Sequence, residues 1–145
     1  MCIRDRVDSV AKKARFLELV AGELGLRDVI VLAERAETLG QAAAFREQFD
    51  WATGRAVAEL RVLAELLLPL CRVGGHVLAQ KGDSATAEIA AAGPAIAALG
   101  GGPATVSTIR LPETDKAHYL VLIPKIAPTN RRYPRRAGMP AKRPL

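Results

Sequence analysis

The sequence predicts one α/β domain in which a mostly parallel sheet ends in an antiparallel hairpin. Amphipathic helical segments alternate with short β-branched runs, and a short polar loop joins the last two strands. Such alternation implies parallel strands joined by right-handed crossovers, with helices on both faces of the sheet. A chain of 145 residues is long enough for a single domain with a hydrophobic core.

The first part of the chain predicts two helices and two strands. Asp8 or Ser9 can cap a helix whose apolar face is formed by Val10, Ala14, Leu17, Ala21 and Leu24. The β-branched run at residues 28–32 predicts a buried strand. A helical patch at residues 36–47 then leads to a second strand at residues 49–53.

The second part continues the same alternation. Leu60, Leu63, Ala64 and Leu67 mark one helix, and an Ala-rich helix follows at residues 84–99, where Pro94 kinks it or starts a second segment. Glycine pairs or runs precede two of the three predicted strands, which lie at residues 76–80, 104–111 and 118–126, and a polar loop is expected at residues 112–117.

Composition excludes several classes of protein. No apolar run approaches the roughly 20 residues that span a bilayer, so no membrane contact is expected. Cys2 and Cys71 do not form a disulfide framework, which favours a cytoplasmic protein. His76 and His118 are isolated and no CxxC occurs, so no metal site is expected. We expect a monomer.

The last fifteen residues carry all of the formal net charge of +6. Residues 131–145 hold six Lys or Arg and no acid, whereas the rest of the chain is balanced. Three prolines and Gly138 argue against a regular helix, so an extended arm is expected. Tyr133 could stack on a base, and the cations favour contact with a polyanion. The alternative is a solvated, disordered tail.

Three positions follow predicted parallel strands or precede a helix, where doubly wound sheets bind ligands. They are Asp8, the pair Ala36 and Glu37, and Arg55, with the alternative roles of helix cap, surface acid and surface cation. No GxGxxG loop, P-loop or Ser/His/Asp set occurs, and the glycines at residues 100–102 precede a strand, the wrong order for a phosphate cradle. The chain reads as most of a cofactor-binding sheet without its first strand.

An ordered series of short motifs runs through the chain: Asp8-Ser9 with Lys12-Lys13 and Phe16-Leu17, Arg35-Ala36-Glu37, Phe49-Asp50, Arg55-Ala56-Val57-Ala58 with Leu60, Leu68-Pro69-Leu70, Gly74-Gly75, Lys81-Gly82, and Tyr133-Pro134-Arg135-Arg136 with Gly138, Pro140, Lys142 and Pro144-Leu145. Together these motifs resemble the small-subunit ribosomal RNA methyltransferase G family, also called glucose-inhibited division protein B. The resemblance covers residues 7–145.

The resemblance implies a Rossmann-like class I methyltransferase fold that uses S-adenosylmethionine to methylate N7 of a guanine in 16S rRNA of the small ribosomal subunit. By this resemblance Asp8 and Ser9 would meet the cofactor's ribose, Ala36 and Glu37 its adenine, and Arg55 would lie beside it. RNA contacts would come from basic positions and the tail: Arg35, Lys81, Arg131, Arg132, Tyr133, Arg135, Arg136, Lys142 and Arg143. No catalytic residue is assigned.

The chain also departs from the family, whose members begin with several helices, a first strand and a Gly-rich cofactor loop. Residues 1–6 do not resemble the strand expected before Val7 and are interpreted as a non-native leader. Residues 7–127 would be a partial methyltransferase domain and residues 128–145 a basic tail. A gap or exposed edge in the sheet and little or no activity are therefore expected.

Two other functions remain open. The first is a non-catalytic RNA-binding protein that combines a degenerate Rossmann-like fold with the basic tail. The second is a nucleotide- or NAD-binding domain, which is disfavoured because it explains neither the terminal hairpin nor the tail.

Overall fold

A computed structural model describes residues 4–55, 57–112 and 117–145, and it has the alternating order of elements that the sequence predicts. Residues 1–3 and most of the polar loop expected at residues 112–117 lie outside this part of the chain. The elements, in chain order, are β1 (Arg4–Val7), α1 (Ala11–Glu23), β2 (Val29–Leu32), α2 (Ala36–Gln41), β3 (Phe49–Arg55), α3 (Leu60–Leu67), β4 (Cys71–Lys81), α4 (Ala85–Ala98), β5 (Thr105–Arg110), β6 (Ala117–Pro124) and α5 (Met139–Lys142). In these residues no helix is long and apolar enough to cross a membrane.

The strands form two separate sheets. β1 and β2 pair in parallel, and the second sheet has the order β3-β4-β6-β5. β3 and β4 are parallel, whereas β6 is antiparallel to both β4 and β5, which confirms the expected hairpin. Among the described strands, β1 pairs only with β2 and β3 only with β4. Each of these two strands therefore has one edge that no described strand pairs with.

β1 corrects the expectation that residues 1–6 do not contribute a strand. Residues 4–7 pair in register with residues 29–32, and the Arg4 N–H donates to the Asp28 carbonyl at 3.1 Å. A ladder of backbone hydrogen bonds forms with almost any side chain, and β1 is largely exposed, so it needs no β-branched residues. The strand was not predicted from the sequence because residues 4–6 are charged and lack the β-branched pattern of a buried strand.

The hydrophobic core lies between one face of the four-stranded sheet and the helices α3 and α4. Its fully buried members include residues from both layers: Leu60, Leu63, Ala64, Leu68, Val77, Ala79, Ala92, Ile96, Leu99, Val121 and Ile123. Alternation along β3 places Ala52 in this core and Trp51 on the opposite face, where Trp51 is 53% exposed and stacks on His76 with ring centroids 5.0 Å apart. This opposite face is the bare sheet face.

The end of α2 and the start of β4 differ most from the expected boundaries, and a glycine in each element approaches another part of the chain closely. α2 ends at Gln41 rather than near residue 47, and a Cβ on Gly40 would lie 2.8 Å from Pro134 Cγ. β4 begins at Cys71, before the glycines that were expected to precede it. Gly75 lies beside a register shift in the β3–β4 ladder, where a Cβ would lie 2.7 Å from the Asp50 carbonyl oxygen.

Pro94 lies inside a single helix, so of the two expected alternatives the start of a second segment is wrong. α4 runs from Ala85 to Ala98 and contains Pro94. Proline removes the hydrogen bond to the carbonyl four residues earlier. Ala90 and Pro94 are both exposed, so water can hydrate that carbonyl and the helix continues.

Cys71 supplies a test of this core. Its side chain is fully buried, and burial raises the pKa of its thiol from the ordinary 9.0 to about 11. In a Cys2→Ser variant, the folded chain should react with an aromatic disulfide reagent only as fast as it unfolds, because neither the reagent nor water reaches the thiol. A reaction rate equal to that of free cysteine would contradict this packing.

The same thiol should make stability depend on alkaline pH. Between about pH 9 and 11 the unfolded chain loses the thiol proton while the folded chain retains it, so the free energy of unfolding falls as pH rises through that window. Urea denaturation at several pH values measures the slope. Cys71→Ala in the same background removes this contribution and is the matched control.

Candidate functional site

Asp8 and Ser9 lie at the carboxyl end of β1, beside the carboxyl end of β2. The Asp8 N–H extends the parallel ladder by donating to the Leu32 carbonyl at 3.2 Å. Asp8 Oδ1 accepts a hydrogen bond from the Val10 N–H at 2.8 Å. The helix itself starts after Val10 and has no side-chain cap, so neither predicted cap residue occupies the cap position. Asp8 is half-buried and Ser9 exposed at the strand ends.

Arg35, Ala36 and Glu37 follow β2 at the same edge. α2 begins at Ala36, and Arg35 is exposed just before it. Glu37 is only 8% exposed, so its alternative role as a surface acid is wrong. Its Oε1 accepts a hydrogen bond from the Gly138 N–H in the tail at 2.7 Å.

Arg55 ends β3 and belongs to the other sheet. Its side chain is exposed, and by alternation it shares the bare sheet face with Trp51. The β1–β2 pairing thus brings Asp8, Ser9, Ala36 and Glu37 to one edge, whereas no strand pairing among the described residues joins Arg55 to them.

Lys81 does not face solvent as an RNA contact would. Its Nζ donates to the Ala58 carbonyl and pairs with Glu88 Oε2 at 2.6 Å, and its side chain is 10% exposed. The same Glu88 oxygen accepts the Leu60 N–H at 2.7 Å. Burial raises the pKa of Glu88, but the hydrogen bonds from Lys81, Ser84 and Leu60 outweigh it and lower that pKa overall. Lys81 therefore joins β4, α4 and the start of α3.

The C-terminal residues are docked on the domain, so the expectation of an extended arm was wrong. Tyr133 is 7% exposed and belongs to the core cluster, and Arg132 lies 4.8 Å above its ring. In this position the ring cannot stack on a base. The prolines also permit a short helix, α5, because proline is tolerated in the first turn, where Pro140 lies.

Three glutamates hold these residues and are called the glutamate clamp: Glu37, Glu47 and Glu65. Glu65 is 1% exposed, and the Arg135 guanidinium contacts both of its oxygens, with an Nη2–Oε2 distance of 2.6 Å and an Nε–Oε1 distance of 2.9 Å. The Arg135 N–H donates to the same carboxylate at 2.8 Å. Glu47 Oε1 accepts the Thr129 N–H at 2.7 Å.

Two cations, Arg46 and Lys125, add hydrogen bonds to backbone carbonyls in the same region. The Arg46 guanidinium donates to four backbone carbonyls, those of Gly40, Thr129, Asn130 and Tyr133. Lys125 is 1% exposed, and its Nζ donates to the carbonyls of Leu68 and Leu99 at 2.9 and 3.2 Å. Burial lowers the pKa of Lys125, and Glu47, 3.2 Å away, opposes that shift.

Four of the residues that hold the tail were not predicted from the sequence: Arg46, Glu47, Glu65 and Lys125. Signals existed for two of them, because Glu65 interrupts the apolar stripe of α3 and Lys125 follows the apolar strand β6. Arg46 and Glu47 carry no such signal, since both lie in a segment that was expected to be helical. The remaining tail cations are exposed: Arg131, Arg132, Arg136, Lys142 and Arg143.

A cavity of about 690 Å³ lies away from the carboxyl edge. It is lined by Arg46, Glu47 and Arg131 and by the end of α4, next to the start of β3. Arg46 and Glu47 are occupied by their contacts with the tail. In the part of the chain that the structure covers, no cluster of three or more His, Cys, Asp or Glu could hold a metal.

A family model described as rRNA small subunit methyltransferase G matches residues 5–116. The chain belongs to this family. The ribosomal RNA small subunit methyltransferase G of Roseiflexus sp. (strain RS-1) is 51% identical over 139 residues, and that of Lactobacillus johnsonii is 46% identical. Both matches cover 96% of this chain, which spans only 59% and 58% of the lengths of these relatives.

Solved structures show the same fold as this methyltransferase G chain. An rRNA methylase from Streptococcus thermophilus gives a TM-score of 0.57 at 16% identity, covering 85% of this chain and 73% of its own. A SAM-dependent O-methyltransferase from Thermotoga maritima gives 0.60 at 12% identity, covering 87% and 51%. The expected Rossmann-like class I methyltransferase fold is therefore confirmed. The family match also includes Asp5 and Arg6, which had been assigned to a leader.

The glutamate clamp should dominate the stability of the tail. Glu65→Ala leaves the Arg135 guanidinium without its partner and should cost up to about 3 kcal/mol of unfolding free energy, the lower end for a buried pair because Arg135 keeps some water. Urea denaturation measures the change.

Glu59→Ala is the matched control, because it removes an exposed pair with Arg61 just before the same helix. It should cost less than about 1 kcal/mol. Equal losses for the two variants would show that the clamp is no stronger than a surface pair.

Proposed function

We propose that this chain provides part of the cofactor site and an RNA-binding surface of an enzyme that uses S-adenosylmethionine to methylate N7 of a guanine in 16S rRNA. The family match carries the proposal, because it includes every candidate cofactor residue. The names of the relatives support a small-subunit rRNA substrate. Because the chain spans about 59% of their length, the activity, the substrate and a cytoplasmic location are proposals for the whole protein.

The residues at the carboxyl edge fit the proposed cofactor. Asp8 is a carboxylate at a parallel strand end, the position and chemistry that accept hydrogen bonds from ribose hydroxyls. Ser9 adds a hydroxyl there, and Ala36 and Glu37 follow the next strand, where adenine would lie. Arg55 would contribute a cation from β3. S-adenosylmethionine, when bound, supplies an electrophilic methyl group.

Guanine N7 explains why the chain needs no catalytic triad. The N7 atom has a lone pair and carries no proton, so no general base has to remove one. The task of the protein is to bind and orient the base, since proximity and orientation alone can supply much of a rate enhancement. Methylation makes the base cationic, and nearby carboxylates and backbone dipoles stabilise such a charge.

The exposure of the cations narrows the set of residues that we propose for the RNA surface. Arg131, Arg132, Arg136, Lys142 and Arg143 face solvent, as does Arg35 beside α2. Arg135 and Lys81 are occupied by carboxylates and contribute to the fold. A deletion of the tail would also expose Glu65, so the RNA contact is better tested by substitution.

Salt dependence tests this surface. Replacing Arg131, Arg136 and Lys142 with serine removes three exposed cations without touching the glutamate clamp. If all three contact phosphates of a single-stranded RNA oligonucleotide, the slope of log K against log salt should fall by about 2. Fluorescence anisotropy over a salt series measures the slope.

The matched control replaces Lys12, Lys13 and Arg15, three exposed cations of α1. It should leave the slope nearly unchanged. An equal change in both triple variants would indicate a non-specific charge effect and would contradict a dedicated tail surface.

This chain by itself should bind the cofactor weakly. Among the described strands, β1 and β3 each have an unpaired edge, and the sequence contains no Gly-rich loop of the GxGxxG type. Isothermal titration with S-adenosylmethionine should therefore show no micromolar binding. Micromolar affinity would contradict this expectation.

The reaction is tested with labelled S-adenosylmethionine and unmodified small-subunit RNA at high concentrations of the chain. Any methylated product should be 7-methylguanine by mass spectrometry, at a low yield, and RNA made with 7-deazaguanine should give none. Methylation of another atom would contradict the proposal. The chain can also be tested after addition of the segment that its relatives have and that it does not span. RNA binding without any methyl transfer, even then, would favour the non-catalytic RNA-binding protein.

A further inference from the structure

α2 is attached to the tail at both of its ends. At its start, Glu37 Oε1 accepts the Gly138 N–H at 2.7 Å. At its end, Gly40 packs directly on Pro134, and Gln41 Nε2 donates to the Pro134 carbonyl at 2.7 Å. These contacts join residues that are more than ninety positions apart in the sequence.

α2 depends on such contacts for its position. It has only six residues, and helices this short are not stable in isolation. Glu37, Leu39 and Gly40 are its buried residues. Two of these three contact the tail directly, so the tail forms much of the surface that holds the helix.

The tail side of the contact is also shaped for this purpose. Gly138 has φ +79, a left-handed conformation that glycine adopts without strain. α5 follows immediately, and the Lys142 N–H donates to the Gly138 carbonyl at 3.2 Å. Gly138 thus turns the chain so that its N–H points to Glu37 while α5 continues behind it.

We propose that the basic tail is a positioning element for the Arg35–Ala36–Glu37 segment, and that Glu37 is the positioning residue that tethers the two through the Gly138 N–H. This inference rests on the proposed function, in which that segment meets the cofactor's adenine. The tail then has two roles on two sides: exposed cations face RNA, and buried contacts fix the cofactor edge.

Hydrogen exchange of the full chain tests the tether without requiring bound cofactor. Glu37→Ala removes the acceptor, and exchange at residues 36–42 should accelerate roughly ten- to a hundredfold, the size expected from one hydrogen bond to a charged group. Exchange at residues 77–80 in β4 should not change. Glu37→Gln keeps an oxygen that accepts the Gly138 N–H and should restore slow exchange.

Two further variants test whether the tether, and not the tail charge, slows exchange. Lys142→Ser with Arg143→Ser removes two exposed tail charges that follow Gly138 but keeps the tether, so residues 36–42 should exchange as in the parent chain. If Glu37→Ala unfolds the whole chain, Gly138→Ala loosens the tether from the tail side, because alanine is strained at φ +79. It should accelerate the same residues.

Unchanged exchange at residues 36–42 in Glu37→Ala would overturn the proposal, as would a Glu37→Gln variant as fast as Glu37→Ala. Adding S-adenosylmethionine separates this inference from the proposed function. Slower exchange at residues 36–42 in the parent chain would support both. No effect of a high cofactor concentration, together with fast exchange in Glu37→Ala, would retain the tether and contradict the cofactor site in this chain.

Discussion

The buried Glu65–Arg135 pair is the interaction on which the arrangement of this chain most depends. A carboxylate that is 1% exposed in the middle of α3 is tolerated only with a cation and hydrogen-bond donors beside it. Arg135 supplies both its guanidinium and its backbone N–H. Once this contact is made, Tyr133 and Pro134 are drawn into the core and onto α2, so one ion pair organises two helices and the C-terminus.

The sequence predicted the elements that follow from periodicity. Apolar spacing found α1 and α3, and alternation with β-branched runs gave the order of strands and the terminal hairpin. It failed where a distant residue decides the local structure. β1 was missed because its partner is twenty-five residues away and its own side chains are charged. α2 was predicted too long because the proline that meets Gly40 lies in the tail.

The candidate site was predictable to the same extent. The positions of Asp8 and Glu37 at one edge of the sheet were predictable, because the carboxyl ends of neighbouring parallel strands lie at the same edge. The structure has Asp8 directly after β1 and Glu37 in the helix that follows β2. The cations could not be sorted, since Arg135 and Arg136 are adjacent and chemically identical. Only the fold shows that Arg135 meets a buried carboxylate while Arg136 faces solvent. Charge in a tail therefore indicates a polyanion partner only after the charges that hold the fold are subtracted.

The bare sheet face carries the residue that dominates the intrinsic fluorescence of the molecule. Trp51 is the only tryptophan in the chain, half exposed on this face and stacked on His76. Indole emission shifts to shorter wavelengths when water leaves the ring, and a protonated imidazole in contact with the ring quenches it. Tryptophan fluorescence from this chain therefore reports on this one face, and a segment or molecule that covers the face shifts the emission wavelength.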